Sequence, residues 1–353
     1  MYFLAPMTFL RVPVLALTLL ALVVGFPQAA FAKAKAKPKH SGADYKGVIV
    51  MEAASGNILY ENNADVINPP ASMTKLMTYA VLHDMLQAGT LSLDKMVQIT
   101  REDMSMGGTE VWLDPRETFP VEDLIYAMMI QSANDAAHAL ARFSAGSVPA
   151  FVAKMNEKAR ELGMLHTTFK TPHGLPPSSR SLADSDVTTP RDYALLCRHL
   201  LMNTDVLKYT SIRTRQFGPP YRVKPVTMNN HNHLLGRVAG VDGLKTGYTG
   251  NAAFCLSATA QRNGKRLIVV IMGSPTAVVR DGCVIELLEE YFAKLPANTQ
   301  DFIGGGQSKT INTSLPPVYN SPVSSASEAP TEAKPTGEEP MIRLNIPASK
   351  SGK

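Results

Sequence analysis

Cysteine is scarce in this 353-residue chain: Cys197, Cys255 and Cys283 lie far apart and are odd in number. Their spacing excludes a disulfide-dense scaffold and a paired-cysteine zinc site. Cys255, inside an apolar strand-like run, reads as a small core residue. No H-E-x-x-H occurs, and His231 and His233 in "NNHNHLLG" have no evident third ligand, so no metal is expected. Aromatic and basic residues nowhere interleave, which argues against nucleic acid as a partner despite a formal net charge of +5. After residue 26 no apolar run is long enough to cross a bilayer.

What is present divides the chain. Arg11 precedes an apolar run over 12–26, and Ala30-Phe31-Ala32 follows it, as in a secretory signal removed after Ala32. Pro13 and Pro27 bracket a run shorter than the ~20 residues a spanning helix needs. The expected mature chain is exported and soluble. Residues 33–42, with Lys33, Lys35, Lys37 and Lys39, read as a flexible basic arm, and 43–296 have the composition of one globular domain. Residues 297–353 begin with a Gly304-Gly305-Gly306 run and continue rich in Ser, Pro, Glu and Thr. Such a segment cannot bury enough surface to offset its ordering entropy, so a disordered tail is expected. Its end, "MIRLNIPASKSGK", is too short and mixed for a membrane-binding helix.

Within the domain, "YKGVIVMEAASGNILYEN" sets two β-rich runs around Ser55, Gly56 and Asn57, a hairpin signal. A helix follows Pro69 and Pro70, with Ser72 as a potential cap and Leu76, Met77, Tyr79, Ala80, Leu82 and Met85 at helical spacing. Residues 121–203 are mostly helical in pattern. "GLKTGYTG", "AAFCLSATAQRN" and "KRLIVVIMGS" then read as three strands, before a helix over 279–292. Strands at both ends enclosing helices predict an α+β domain: one antiparallel sheet from distant segments, with a helical insertion.

Ser72 and Lys75 stand three apart at a helix start, on one face and one turn apart. A serine hydroxyl needs a neighbouring base to be a nucleophile, and a lysine serves only when desolvation or a nearby cation favours its neutral form. The spacing alone is weak, since Ser92 and Lys95 share it among polar neighbours, where a solvated surface pair is the better reading. Two further clusters strengthen it. "MMIQSANDAAHAL" places Ser132 and Asn134 at a break between helical runs, which helix capping alone would also explain. "VDGLKTGYTG" places Lys245, Thr246 and Gly247 on a strand flanked by glycines. Ser55-Gly56-Asn57 in the hairpin turn and Lys350-Ser351-Gly352 in the tail repeat the last two patterns, but out of order or off any structured element.

In this order the three motifs resemble those of penicillin-binding proteins and class A β-lactamases. More narrowly, "ASMTKLMT", "SANDAA", "FVAKMNEKARELGMLHTTFKTPHGL" and "VDGLKTGYTGNAAFCLSATA" resemble the low-molecular-mass D-alanyl-D-alanine carboxypeptidases, over residues 45–292. The resemblance implies an α/β (α+β) fold with a central five-stranded antiparallel sheet flanked by helices and a mainly helical insertion. It also implies hydrolysis of the terminal D-alanine from peptidoglycan stem peptides through an acyl-enzyme, inhibited by β-lactam antibiotics, with no cofactor. Ser72 would be acylated and Lys75 would take its proton, Ser132 would relay a proton to the leaving amine, and Asn134 would hold the peptide and position Lys75. Lys245 and Thr246 would face the substrate carboxylate, and Gly247 would let the peptide lie against the strand. The backbone amides of Ser72 and Tyr248 would form the oxyanion hole. His231 and His233 are assigned to a loop beside the substrate or to structure.

Tyr248 stands where some members have histidine. The larger members add a β-rich second domain and an amphipathic anchor, whereas the polar tail here predicts no stable membrane anchor, in the periplasm or on the outer face of the cytoplasmic membrane. Class A β-lactamases deacylate with a glutamate, and none occurs between Glu161 and Glu286, so a long-lived β-lactam ester is expected. A D,D-endopeptidase of cross-links and a non-catalytic wall-binding or β-lactam-sensing module are the alternatives.

Overall fold

The computed structural model describes residues 44–177 and 181–295. The expected signal segment, basic arm and tail lie outside the described residues. The first strands, β1 (Gly47–Glu52) and β2 (Ile58–Asn62), are joined as expected through a turn in which Gly56 has φ +77 and Ser55 Oγ accepts from Asn57 N. A 3-10 turn, Ala71–Thr74, runs directly into α1 (Lys75–Gln87). Ser72 lies inside that turn and makes no capping bond, so the helix start is not a serine cap. Every residue from Lys75 to His83 is buried, which marks α1 as a core helix with no solvent face in its first turns.

A small ribbon, β3 (Met96–Gln98) with β4 (Thr118–Pro120), encloses α2 (Arg101–Met104). Next come α3 (Val121–Tyr126), a π-helical turn over Ala127–Gln131, α4 (Asn134–Ala145) and α5 (Val148–Glu161). Gly146, at φ +79, ends α4, and the Ser147 side chain accepts from Ala150 N to start α5. Thr189 caps α6 (Pro190–Asn203), which has proline at its first position.

The helical pattern expected over 121–203 fails between α5 and α6. Gly163, Pro172, Gly174, Pro176 and Pro177 interrupt it, and side chains take up the backbone groups instead. Asp186 accepts from Lys170 N and Thr171 N at 2.6 and 2.9 Å, Asn156 Oδ1 accepts from Phe169 N at 2.8 Å, and Asp192 accepts from His166 N at 2.8 Å.

After α7 (Leu207–Thr210) and a second ribbon, β5 (Thr214–Phe217) with β6 (Val226–Asn229), come the three expected strands. These are β7 (Val241–Thr249), β8 (Ala253–Arg262) and β9 (Lys265–Ser274), followed by α8 (Ala277–Lys294) capped by Thr276. The main sheet has the order β2-β1-β9-β8-β7 and is antiparallel throughout, so strands from the two ends of the domain meet at β1 and β9.

Period-two alternation in "KRLIVVIMGS" explains why β9 is apolar at nearly every position. Ile268, Val270 and Met272 enter one core with Ile49, Met51, Leu76, Leu140 and Leu196, whereas Leu267, Val269 and Ile271 enter another with Val48, Val50, Leu256 and α8. Burying each large aliphatic side chain contributes about 1.5–3 kcal/mol, so this strand binds the helical insertion and α8 to one sheet.

Two glycines let the 3-10 turn sit unusually close to its surroundings. A Cβ at Gly247 on β7 would lie 2.4 Å from Pro70 O, and one at Gly174 would lie 1.9 Å from Ala71 O. Gly174 also has φ +84, which an L side chain resists. The turn is therefore clamped between a sheet edge and the irregular 162–189 segment. Gly174→Ala is expected to destabilise the protein by about 1–3 kcal/mol in urea denaturation; an unchanged midpoint would contradict this clamp.

Candidate active site

The clamp brings three distant segments to one cleft of about 320 Å³, lined among others by Ser72, Ser132, Thr246, Gly247 and Tyr248. Ser72 comes from the 3-10 turn, Ser132 from the junction of α3 and α4, and the rest from β7 at the sheet edge. A larger open hollow of about 730 Å³, lined by His83, Ser92, Asp205 and Tyr209, includes neither Ser72 nor Ser132 nor any residue of β7. The rival pair, Ser92 and Lys95, is exposed, as the sequence suggested.

Lys75 lies fully buried. Its Nζ is 3.1 Å from Ser72 Oγ and donates to Asn134 Oδ1 at 2.7 Å and to His173 O at 2.8 Å. Asn134 Nδ2 in turn donates to Gly107 O at 2.9 Å, tying the lysine to a loop on the other wall. A neutral amine has two N–H groups and one lone pair. Asn134 and His173 use both N–H groups, which leaves the lone pair for the Ser72 hydroxyl. An ammonium would fit the same three contacts by count, so the surroundings decide. Burial and then the nearby Lys245 push the Lys75 amine well below its ordinary 10.5, with Asp135 and Asp186 opposing them. We assign the neutral form, because full burial penalises the charge and neither carboxylate bonds to the amine.

Lys245 is itself buried, with Nζ donating to Thr246 O at 3.2 Å. Burial and then Arg280 lower its pKa to about 7. Arg280, in the first turn of α8, is 3% exposed, lines the cleft and pairs with Asp281 at 2.7 Å. The sequence reading missed it. The available signal was an arginine at the positive end of a helix dipole, where a cation is unfavourable without another purpose. The reading also missed the His173 carbonyl, and a backbone acceptor leaves no mark in residue type.

Ser132 has φ +64 at the end of the π-helical turn, and its buried Oγ makes no hydrogen bond to the described residues. A polar atom so placed is under-satisfied unless a ligand supplies a partner. His231 and His233 line the same cleft, and burial lowers His231 to about 4, so it is neutral at pH 7. Among the described residues no three His, Cys, Asp or Glu side chains converge as metal ligands would. Tyr248 is exposed and stacks on Phe254 with ring centroids 4.3 Å apart. The Gly247 Cα faces the serine turn closely, so a side chain there would collide with Pro70 O. That requirement stands beside the one expected from the sequence, room for an extended peptide. A buried hydroxyl–amine pair with Lys245 and Arg280 alongside suits acyl transfer from a substrate bearing a carboxylate.

Comparison with known proteins agrees with this geometry. A family model described as D-alanyl-D-alanine carboxypeptidase matches residues 32–276. The chain is 34% identical over 274 residues to the D-alanyl-D-alanine carboxypeptidase DacF of Bacillus subtilis, covering 77% of this chain and 69% of that protein. It is 36% identical to DacC of Escherichia coli, covering 67% of this chain but only 58% of that one. Penicillin-binding protein D2 of Listeria monocytogenes, solved in an ampicillin-bound form, is 34% identical and superposes with a TM-score of 0.62, covering 70% of this chain and 97% of that one.

The lowered Lys245 has a consequence for stability. In the unfolded chain this amine keeps its proton up to about 10.5, whereas in the fold it gives it up near 7. Between those values the unfolded chain binds more protons, so stability rises with pH. The melting temperature of the wild type is expected to climb relative to that of Lys245→Met from about pH 7 to pH 9. Parallel curves would contradict the assignment.

Proposed function

The chain belongs to the D-alanyl-D-alanine carboxypeptidase family, and from that premise we propose that it is a serine-type D,D-carboxypeptidase removing the terminal D-alanine of peptidoglycan stem peptides. The observation that carries this reading is the buried Lys75 amine 3.1 Å from Ser72 Oγ. Ser72 Oγ attacks the carbonyl carbon of the penultimate D-alanine while its proton passes to Lys75 Nζ. The Ser72 and Tyr248 backbone amides hold the oxyanion, a contribution typically worth ~3–4 kcal/mol per donor. Ser132, with its unbonded buried hydroxyl, carries a proton to the leaving amine. D-alanine departs, water attacks the Ser72 ester, and the hydroxyl proton is restored.

Lys245, Thr246 and Arg280 receive the terminal carboxylate, and Asn134 fixes both the amine and the peptide. Arg280 and the protonated form of Lys245 make the end of the cleft cationic, which favours a substrate that ends in a free carboxylate over an internal peptide. The Listeria relative binds ampicillin, and we extend the same acylation to Ser72 here. The residues lining this cleft include no Asp or Glu, which supports a persistent β-lactam ester. The secretory pattern read in residues 1–32 of the sequence supports an activity outside the cytoplasmic membrane.

Incubation with a pentapeptide stem and with a cross-linked dimer, followed by mass analysis, tests the assignment. Free D-alanine from the pentapeptide is expected; cleavage of the dimer alone would make the protein an endopeptidase. Lys75→Met is expected to slow labelling by fluorescent penicillin about 10²–10⁴-fold. The same variant loses the bonds to Asn134 and His173 but also the cost of discharging a buried amine, so its melting temperature is expected to stay close to that of the wild type and the slower labelling to reflect the lost base. Labelling within a few-fold of the wild type would remove Lys75 as the base.

A further inference from the structure

Trp112, the chain's one tryptophan, is 65% exposed, and its backbone has φ +54. A bulky side chain in that left-handed region is strained, and it persists only where neighbouring groups over-determine the backbone. They do so here. The buried Asp135 carboxylate accepts from the amides on either side, Val111 N at 3.2 Å and Leu113 N at 3.1 Å. Arg222 donates to Val111 O at 2.7 Å and to Trp112 O at 3.0 Å. Its guanidinium is itself held by Glu117 at 2.7 Å and lies 5.4 and 5.3 Å over the Phe119 and Phe217 rings.

These contacts fix the backbone while the residue stays exposed, so folding gains little from the ring they present. The same clamp ties the loop that carries the ring to the wall of the cleft. Asp135 follows Asn134, whose backbone N donates to Thr109 O at 2.7 Å, and Thr109 lines the cleft three residues before Trp112. Tyr221 and Val223, on either side of Arg222, are exposed as well. The surroundings are not uniformly apolar: Glu110, Asp114 and Arg116 stand on the same loop, and a wholly apolar partner would strip water from them. The partner that fits has a flat C–H face with polar groups around its edge.

We propose that Trp112 is a rigid stacking platform for a sugar ring of the glycan strand that carries the stem peptide, an inference that rests on the peptidase reading above. A pyranose ring offers a C–H face to the electron-rich indole and hydroxyl or amide groups to the polar loop. A ring held in place beforehand loses little freedom on binding.

The test compares kcat/KM for a disaccharide-linked pentapeptide with that for the free pentapeptide. In Trp112→Ala the ratio is expected to fall at least five-fold, and less in Trp112→Phe and Trp112→Tyr; a ratio within two-fold of the wild type overturns the proposal. Trp112→Asn, which suits the left-handed backbone, should melt no lower than the wild type while lowering the ratio equally; a lower melting point with an unchanged ratio makes the ring merely structural. Because there is one tryptophan, its fluorescence reads the platform without turnover. A saturable shift with the N-acetylated disaccharide is expected. A shift only with phosphatidylglycerol vesicles, or none, overturns the assignment. If the wild type cleaves neither peptide, the peptidase reading fails, and this titration still decides the platform.

Discussion

A lysine amine shut off from bulk water loses the hydration that normally keeps it charged, and at Lys75 the loss is complete. Lys245 reinforces it from β7, and the two buried carboxylates nearby, Asp135 and Asp186, bond to other groups. What remains for the amine is two acceptors and one hydroxyl. That arrangement turns an ordinarily unreactive serine into a nucleophile, and each other part of the site depends on it. Lys245 has two effects at once: its charge helps neutralise Lys75 and also suits a carboxylate-bearing substrate. A bound carboxylate would favour the charged form of Lys245.

The fold supplies the enclosure. β9 joins both ends of the domain into one sheet, with apolar faces that hold the helical insertion on one side and α8 on the other. The turn bearing Ser72 is then pressed between β7 and the 162–189 segment at distances that only glycine permits. Asp186 links the two sides, accepting from Thr74 Oγ1 and Thr171 Oγ1 at 2.9 Å each. It therefore holds the His173 carbonyl over the amine as well as the turn beneath it.

Much of this was legible because it follows from short-range periodicity. A three-residue separation at a helix start places Ser72 beside Lys75, and the alternation in the last three strands separates two buried faces. The Ser132–Asn134 break appears as a polar cluster in an apolar run, and the structure gives it a left-handed serine after a π-helical turn. Other parts had no such signal. The ribbons β3–β4 and β5–β6 have only three or four residues per strand, too few to show a period. Between α5 and α6 the glycines and prolines did mark a break in the helical pattern, but not the bonds from Asn156, Asp186 and Asp192 that hold the backbone there, 13 to 26 residues away in sequence. Arg280 carried only the faint signal of a cation at a helix start, and its place in the cleft depends on how α8 packs.

The most direct measurement is the titration of the Lys75 amine itself, followed by NMR on protein carrying lysine labelled at Nζ and Cε, with Lys75→Met to assign the signal. The account predicts a neutral amine at pH 7 and an upward move of its pKa when Lys245 is replaced by methionine. An amine that stays protonated to the ordinary lysine value of about 10.4, indifferent to Lys245, would contradict it.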